Sequence, residues 1–258
     1  MQDDTITRRG LLGAAGLGTL ALAGAAQPAQ AQEQEQAGEE AQAPRAFIDG
    51  SAPGFRELGE EDFVHVNSAD DTWSWRDGVL YCTGQPVSVL RTAEQYTNFE
   101  VSIEWNHRQR GGNSGMFIWA NPDVVHRMTE AGRPGLPNGI EIQMLDTGYA
   151  AVVLEGNPNA NTSWFTSHGN VFPVRERLEP FPPLSPNGSR SFPSEDRVLD
   201  HGNWNHYYLR AINGEVRLWV NGKEVSGGNN SSATTGYICL ESEGAPIEFR
   251  NFRLRELA

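Results

Sequence analysis

The chain has 258 residues, 38% of them hydrophobic and 21% charged, and its 33 acidic and 20 basic side chains give a formal net charge of −13. This charge argues against nucleic acid and anionic membrane surfaces as partners, because both are bound through Lys and Arg. It fits neutral or cationic ligands. The 28 glycines and 15 prolines, with few long helical patterns, favour many short strands joined by turns.

The first 31 residues have the features of an export signal. Arg8-Arg9 precede an apolar stretch rich in Ala and Gly, and Ala29-Gln30-Ala31 is a small-x-small cleavage pattern. This arrangement predicts a signal peptide, and the paired arginines indicate the twin-arginine route. The alternative is a membrane anchor, but the apolar stretch is shorter than the ~20 residues of a spanning helix. We therefore expect a periplasmic or secreted protein with no membrane attachment after cleavage.

After the cleavage pattern, residues 32–46 form a tract rich in Gln, Glu and Ala that has no hydrophobic face. This composition predicts a disordered linker. The folded domain is expected to occupy residues 47–258, a length at which β-sandwiches are commonly single domains. Its two cysteines, Cys82 and Cys239, lie in strand-like runs and either pair in an oxidising compartment or remain buried free thiols.

The domain itself predicts a succession of short strands. Alternation is clearest in residues 99–105, where every second side chain is apolar and the others are polar. Asn213-Gly214 and Asn221-Gly222 have the composition of tight hairpin turns, and one short helix is expected near residues 124–131. The predicted strands are residues 73–75, 79–82, 99–105, 116–119, 139–145, 151–154, 207–212, 216–220, 236–240 and 247–254.

About ten strands at near-regular spacing predict an all-β protein, a sandwich or jelly roll of two antiparallel sheets. Between residues 156 and 203 the sequence is irregular and rich in proline. A segment of this length without secondary structure is usually functional, so we expect it to form a lid or rim of a binding site.

Several short motifs follow one another in a characteristic order. They are Gly112-Asn113-Ser114-Gly115, Gly139-Ile140-Glu141-Ile142-Gln143-Met144-Leu145-Asp146, Trp204-Asn205, Val220-Asn221-Gly222 and Phe249-Arg250-Asn251. Together they resemble the 3-keto-disaccharide hydrolase family over residues 55–257. The resemblance implies a concanavalin-like and laminin-G-like jelly roll, akin to family-16 glycosidases. It also implies cleavage of glycosides oxidised at C3, by hydrolase or lyase chemistry.

The chain departs from that family at two places. Trp119 stands where members often carry Arg, and Glu241-Ser242-Glu243-Gly244 stands where many have Gln-x-His-Gly. A changed subsite or a changed catalytic group is therefore expected. At the position of the histidine, Glu243 is a candidate acid, substrate ligand or metal ligand, and a rim carboxylate is the alternative.

The strand at residues 139–145 carries the main candidates for catalysis. Glu141 and Gln143 share one face because side chains alternate along a strand. Asp146 would join them only if a β-bulge intervened. Family-16 glycosidases use acids at the same spacing, although here the middle position is Gln. A plain polar strand followed by a turn is the competing interpretation.

The expected chemistry is β-elimination, since a C3 ketone acidifies the C2 proton. It needs a base, an acid for the leaving oxygen and donors to the developing enolate. We assign Glu141 as base or acid, Gln143 and Asn113 as neutral donors, and His168 as the second proton carrier. For His168 a surface loop position is the alternative.

Further candidates for the substrate site are less specific. Glu104 and Arg108 lie on and just after a strand and are predicted to reach the cleft, or else to form an exposed ion pair. Trp119 and Trp164 are predicted to stack on sugar rings, whereas Trp73, Trp75 and Trp105 are predicted to be core. We therefore expect a carbohydrate partner.

The sequence requires no cofactor, and a divalent cation held by carboxylates such as Glu141, Asp146 or Glu243 remains open. Two other functions also remain open: a carbohydrate-binding module without catalysis, and a family-16-like hydrolase of ordinary glycans. The sequence does not indicate the oligomeric state, the sugar, its anomer or its aglycone.

Overall fold

The computed structural model describes residues 48–163, 165 and 168–258, all within the unit Glu40–Ala258. The predicted signal peptide and linker lie outside the described residues, and so do Trp164 and the side chain of His168. No helix in the described part of the chain is long and apolar enough to cross a membrane.

Two antiparallel sheets and two short α-helices account for most of the described residues. The helices are α1 (Pro122–Ala131) and α2 (Tyr149–Gly156). The strands are β1 (Arg56–Glu57), β2 (Phe63–Val66), β3 (Trp73–Arg76), β4 (Val79–Cys82), β5 (Ser88–Thr92), β6 (Phe99–His107), β7 (Asn113–Ala120), β8 (Gly139–Leu145), β9 (His168–Val174), β10 (Glu179–Pro180), β11 (Asn205–Ile212), β12 (Glu215–Val220), β13 (Lys223–Asn229), β14 (Tyr237–Ser242) and β15 (Ile247–Glu256).

The nine-stranded sheet has the order β10-β13-β12-β11-β6-β15-β4-β3, with β1 paired to the far end of β15. The six-stranded sheet has the order β2-β5-β14-β7-β8-β9. Neighbouring strands are often distant in sequence, as when β14 lies between β5 and β7. This arrangement confirms the predicted all-β sandwich of two antiparallel sheets.

The two sheets enclose one main hydrophobic core. Side chains alternate along each central strand, so every second residue enters this core. On β6 the inward set is the one that the sequence predicted. A smaller apolar cluster, which includes Phe117, Val125 and Cys239, lies under α1 on the outward face of the six-stranded sheet. The inward residues of β6, β7 and β8 include Phe99, Val101, Ile103, Trp105, Met116, Ile118, Ile140, Ile142 and Met144.

Most predicted strands are present, and α1 lies where a helix was expected. Residues 151–154 are the exception, because they belong to α2. A short apolar run fits a strand or a helix equally well by periodicity alone. Strands β1, β2, β5, β9, β10 and β13 were not predicted. Gly169 and Pro173 obscure β9, which tolerates a proline because it lies at a sheet edge.

Trp119 was predicted to stack on sugar, and this prediction is wrong. Its side chain is 0% exposed and packs edge-on against Phe99, and its indole nitrogen donates to the carbonyl of Thr97 at 2.8 Å. The backbone at Trp119 has φ 51°, and the pairing of β14 with β7 shifts register beside it. This irregularity turns inward a residue that simple alternation would have placed outward.

The predicted core positions of the other tryptophans are confirmed, with Trp75 partly exposed, and the structure distinguishes between the two alternatives for the cysteines. Trp73 and Trp105 are buried in the core, and Trp75 packs against it partly exposed. Cys82 lies on the nine-stranded sheet and Cys239 on the six-stranded sheet, and both are free and buried. The two thiols therefore do not pair.

Replacing Trp119 with alanine tests its assignment to the core. We expect the free energy of unfolding to fall by about 3–5 kcal/mol, because a large buried side chain leaves a cavity. Guanidinium unfolding measures this loss. Val64→Ala on exposed β2 is the control and should change stability by less than about 0.5 kcal/mol. A Trp119→Ala protein of normal stability that had lost sugar binding would contradict the assignment.

Candidate active site

The outward face of the six-stranded sheet carries a polar cavity of about 210 Å³. Neighbouring strands β14, β7, β8 and β9 form its floor. Because Ile140 and Ile142 enter the core, Glu141 and Gln143 lie on the outward face, and both line the cavity. Its lining consists of Asn113, Glu141, Gln143, Leu145, Tyr149, Phe165, Asn170, Phe172, Arg190 and Glu243.

The cavity continues along β8. A second cavity of about 340 Å³ shares Leu145, Tyr149 and Phe165 with the first. The rings of Tyr149 and Phe165 meet edge to face at 5.1 Å between centroids. Together the two cavities form an elongated groove with an aromatic wall, a surface suited to the apolar faces of sugar rings. This wall comes from α2 and the long irregular segment.

The glycines of the Gly-Asn-Ser-Gly motif make room for buried neighbours. A Cβ on Gly115 would lie 2.9 Å from both carboxylate oxygens of Glu241. A Cβ on Gly112 would lie 2.3 Å from Nδ1 of His107. Between them, Ser114 donates from Oγ to the carbonyl of Glu241 at 2.9 Å. The motif therefore fixes β7 against the carboxyl group of Glu241 at the base of the site.

The two amide side chains form a directed chain of hydrogen bonds. Nε2 of Gln143 donates to Oδ1 of Asn113 at 3.0 Å and to the carbonyl of Ser114 at 3.1 Å. Nδ2 of Asn113 donates to Oε2 of Glu243 at 2.7 Å. Both N–H groups of Gln143 are thus engaged within the protein. Gln143 was expected to donate to substrate, but only its side-chain oxygen is free to bind substrate, as an acceptor. Asn113 has one N–H that is still free to donate to substrate.

Three carboxyl groups lie close together at this site. Burial raises the pKa of Glu141 to about 8, and the charge of Glu243 adds to the effect. Burial raises the pKa of Glu241 well above its usual range, and the charges of Glu141 and Glu243 raise it further. Burial also raises the pKa of Glu243, while hydrogen bonds from Glu241 and Asn113 oppose that rise. The three carboxyl groups therefore differ in how readily they ionise. Glu243 is the one whose anion is stabilised by hydrogen bonds.

Glu241 is the most deeply buried of the three. Its side chain is 0% exposed, and no donor among the described residues reaches either carboxylate oxygen. A buried, unpaired carboxylate is very unfavourable, so the group takes up a proton. Once protonated, it can donate to Glu243. The neutral acid then has the shape and polarity of the glutamine found at this position in the resembling family.

One guanidinium group faces the carboxyl cluster. Arg190 lies over the ring of Phe172, with its central carbon 3.6 Å from the ring centroid. The irregular segment pairs with β9 through Ser191 and Val171, which holds Arg190 in this place. Its positive charge lowers the pKa of Glu141, against the larger effect of burial. Arg190 is also a donor that a negatively charged oxygen in the cavity could use.

Asp146 is not among the described residues that line the cavity, contrary to its predicted catalytic role. Its carboxylate accepts from the backbone N–H groups of Gly111, Gly148 and His201 at 2.7, 2.9 and 2.8 Å. These three bonds hold together the loops that precede β7, α2 and β11. We therefore assign Asp146 a structural role.

Glu104 and Arg108 were predicted to reach the cleft, and the structure places them on the other sheet. Glu104 lies on the outward face of the nine-stranded sheet, where Arg250 and Asn251 donate to its Oε2 at 2.7 and 2.9 Å. Arg108 lies 3.4 Å from Glu248. Alternation correctly identified the polar face of β6 but could not tell which sheet contained it.

The remaining predicted candidates have mixed outcomes. Asn113, Gln143, Glu141 and Glu243 come together at the cavity. His168 begins β9, and its side chain, like Trp164, lies outside the described residues. No group of three His, Cys, Asp or Glu side chains within the described ranges has the geometry to hold a metal ion. Five further residues at the site had no predicted role: Tyr149, Asn170, Phe172, Arg190 and Glu241.

The carboxyl cluster predicts how stability depends on pH. A carboxyl group whose pKa is raised by folding stabilises the fold fully below its unfolded pKa, near 4.5, and that contribution is lost as pH rises through the folded value of about 8 for Glu141. Glu241→Gln is neutral in both the folded and the unfolded protein, so the cost of burying an ionisable carboxyl group at high pH is removed. We expect this substitution to raise the free energy of unfolding at pH 9 by about 1–3 kcal/mol and to change it little at pH 4.

Urea unfolding at the two pH values tests this expectation. Glu94→Gln, which removes an exposed carboxylate in the loop after β5, is the matched control and should leave the pH dependence unchanged. An identical loss of stability between pH 4 and 9 in wild type and Glu241→Gln would show that the cluster is not protonated as described.

Comparisons with known proteins bear on this site. Residues 46–255 match the family described as the 3-keto-alpha-glucoside-1,2-lyase-like domain, which confirms the resemblance of the motifs. Two solved structures of proposed glycosyl hydrolases from Parabacteroides distasonis ATCC 8503 share the fold, each with 20% sequence identity. One has a TM-score of 0.58 over 80% of this chain and 95% of its own. The other has a TM-score of 0.53 over 79% and 99%. No curated protein sequence matches the chain.

Proposed function

Because the chain belongs to the family of 3-keto-alpha-glucoside-1,2-lyase-like domains, we propose that it is an enzyme that cleaves glycosides oxidised at C3. The observation that carries the proposal is the presence in one cavity of two carboxyl groups, Glu141 and Glu243, with different surroundings. Glu141 has a pKa of about 8, whereas hydrogen bonds to Glu243 favour its anion. Neighbouring carboxyl groups with separated pKa values can act as acid and base at the same pH.

The substrate's own chemistry defines what the site must do. A ketone at C3 makes the C2 proton acidic, and its removal places negative charge on the ketone oxygen as an enolate. Collapse of the enolate expels the oxygen at C1 and forms a C1–C2 double bond. The departing oxygen takes a proton. A base, an oxyanion donor and an acid are therefore sufficient.

Residues of the cavity can fill these three roles. Glu243 is the proposed base, since its carboxylate is held by Asn113 at 2.7 Å. Glu141, protonated near neutral pH, is the proposed acid for the leaving oxygen. Arg190 and the remaining N–H of Asn113 are the proposed donors to the enolate. Gln143 accepts from a sugar hydroxyl. His168 remains a proposed second proton carrier.

Hydrolysis of ordinary glycans in the manner of family-16 glycosidases is less well supported. That chemistry requires acids spaced along one strand. Here the middle position is Gln143, and Asp146 is held by backbone amides outside the cavity. A binding module without catalysis has no need of a carboxyl group maintained in its protonated form, and it remains an outcome of the test below.

Turnover of a keto sugar tests the proposal directly. The 3-keto derivatives of an α-linked and a β-linked disaccharide are each compared with the unoxidised parent. We expect cleavage of the keto form alone, and a keto substrate that carries deuterium at C2 should lose this label to solvent, because the product has a C1–C2 double bond and no hydrogen at C2. Glu141→Gln should lower the rate by about 10²–10⁴-fold. The wild-type rate should fall above about pH 8, where Glu141 loses its proton.

Glu94→Gln is again the matched control and should retain full activity, and circular dichroism should show that both variants fold. Binding of the keto sugar without turnover would favour the binding module. Cleavage of the unoxidised parents would favour the family-16-like alternative. An unchanged rate in Glu141→Gln would remove that residue from the mechanism.

We also propose that the protein is exported by the twin-arginine route and acts outside the cytoplasm. The support is the order of Arg8-Arg9, the apolar stretch and the small-x-small pattern. Changing both arginines to lysine should leave the full-length precursor in the cytoplasm, as detected by fractionation and mass spectrometry. Arg76→Lys, in the folded domain, is the control and should be exported and cleaved normally. Normal export of the double variant would overturn the proposal.

A further inference from the structure

A separate cavity of about 670 Å³ lies between α1, the loop that follows it and the residue after β9. Three arginines, Arg127, Arg133 and Arg175, line it. Each comes from a different segment, so the fold brings three positive charges to one opening. Asn138 also lines the cavity, and its Oδ1 accepts from Nη1 of Arg175 at 3.5 Å.

This cavity lies on the same face of the same sheet as the carboxyl cluster. Across β8 and β9, Glu141 pairs with Phe172 and Gly139 pairs with Val174. Asn138 and Arg175 are the next residues beyond the second pair. Asn138 is three residues from Glu141, which corresponds to roughly 10 Å along a strand.

The groove, the carboxyl cluster and the arginine-lined cavity therefore follow one another along β8. The groove lies at the Leu145 end, the carboxyl cluster in the middle and the arginines at the Gly139 end. An extended oligosaccharide placed over Glu141 would run toward the arginines. At the Gly139 end lie Val174 and Leu136, which are partly buried and pack against the apolar cluster under α1.

None of the three arginines forms an ion pair with a carboxylate of the described residues. The acidic residue nearest in sequence on α1, Glu130, lies 3.6 Å from His126 instead. By contrast, arginines of the nine-stranded sheet such as Arg250 and Arg253 pair with glutamates. The chain has a net charge of −13, but three arginines without acidic partners among the described residues make this cavity a positively charged patch.

We propose that this cavity is a subsite for an acidic sugar, one that carries a carboxylate or a sulfate group. The proposal rests on the proposed function and names its substrate class: a glycan whose keto-glycosidic bond lies at Glu141 and whose acidic sugar lies at the arginines. A guanidinium group binds a planar carboxylate, or two oxygens of a sulfate, through paired hydrogen bonds. Net charge alone suggested neutral or cationic ligands, and under this proposal the cavity is a local exception.

Calorimetric titration with unoxidised oligosaccharides tests the subsite without requiring turnover. The probes are trigalacturonate, a sulfated carrageenan oligosaccharide and neutral cellotriose. We expect at least one acidic probe to bind about tenfold more tightly than cellotriose at low salt, because hydrogen bonds to charged groups are strong. This preference should shrink at high salt. Whichever acidic probe binds more tightly identifies the acid group.

The double variant Arg127→Gln/Arg175→Gln should bind acidic and neutral probes within about twofold of each other, since each lost charge-assisted bond weakens only the acidic ligand. Arg177→Gln is the matched control: it removes an exposed arginine two residues from Arg175 that does not line the cavity. It should keep the preference for the acidic probe.

The outcomes separate this inference from the proposed function. Equal binding of acidic and neutral probes by the wild-type protein, or an undiminished preference in the double variant, overturns the subsite even if keto sugars are cleaved. A preference that the double variant loses supports the subsite even if no keto sugar is cleaved.

Discussion

Three carboxyl groups share the outward face of one sheet, and Arg190 is the one cationic side chain among the described residues that line their cavity. The properties of the site follow from that imbalance. Glu241 is fully buried and has no hydrogen-bond donor among the described residues, so its carboxyl group takes up a proton. Its proton can be shared with Glu243, which favours the anion there. Glu141, buried beside this pair, retains its own proton near neutral pH. The three glutamates thus differ in protonation because their surroundings differ.

The alternation of side chains along a strand predicted those parts of the site that come from a single strand. The alternation of β8 correctly set Glu141 and Gln143 on one face, because a regular strand leaves no choice. The same rule failed at Trp119, where a residue with φ 51° breaks the alternation. It also failed for Glu104, since the face of a strand does not reveal which sheet contains it. Arg190 comes from a segment with no periodic pattern and reaches the site through tertiary pairing with β9.

Several motifs that identified the family serve the fold and lie outside the cavity. Asn221 accepts from the backbone N–H of His206 at 2.7 Å and donates to Asn205 at 2.9 Å. Asn205 in turn bonds both the N–H and the carbonyl of Leu199. These amides close the end of the irregular segment against β11 and β12. A sequence motif can therefore identify the family reliably without marking the chemistry.

Gly115 limits how this protein could be redesigned. A methyl group there would meet both oxygens of Glu241 at 2.9 Å, so a larger residue at 115 requires the Glu241 side chain to shift. A library that randomises position 115 alone should return glycine among its folded members. Widening the pocket with a shorter side chain at 241 would also remove the carboxyl proton that lies beside the proposed acid and base.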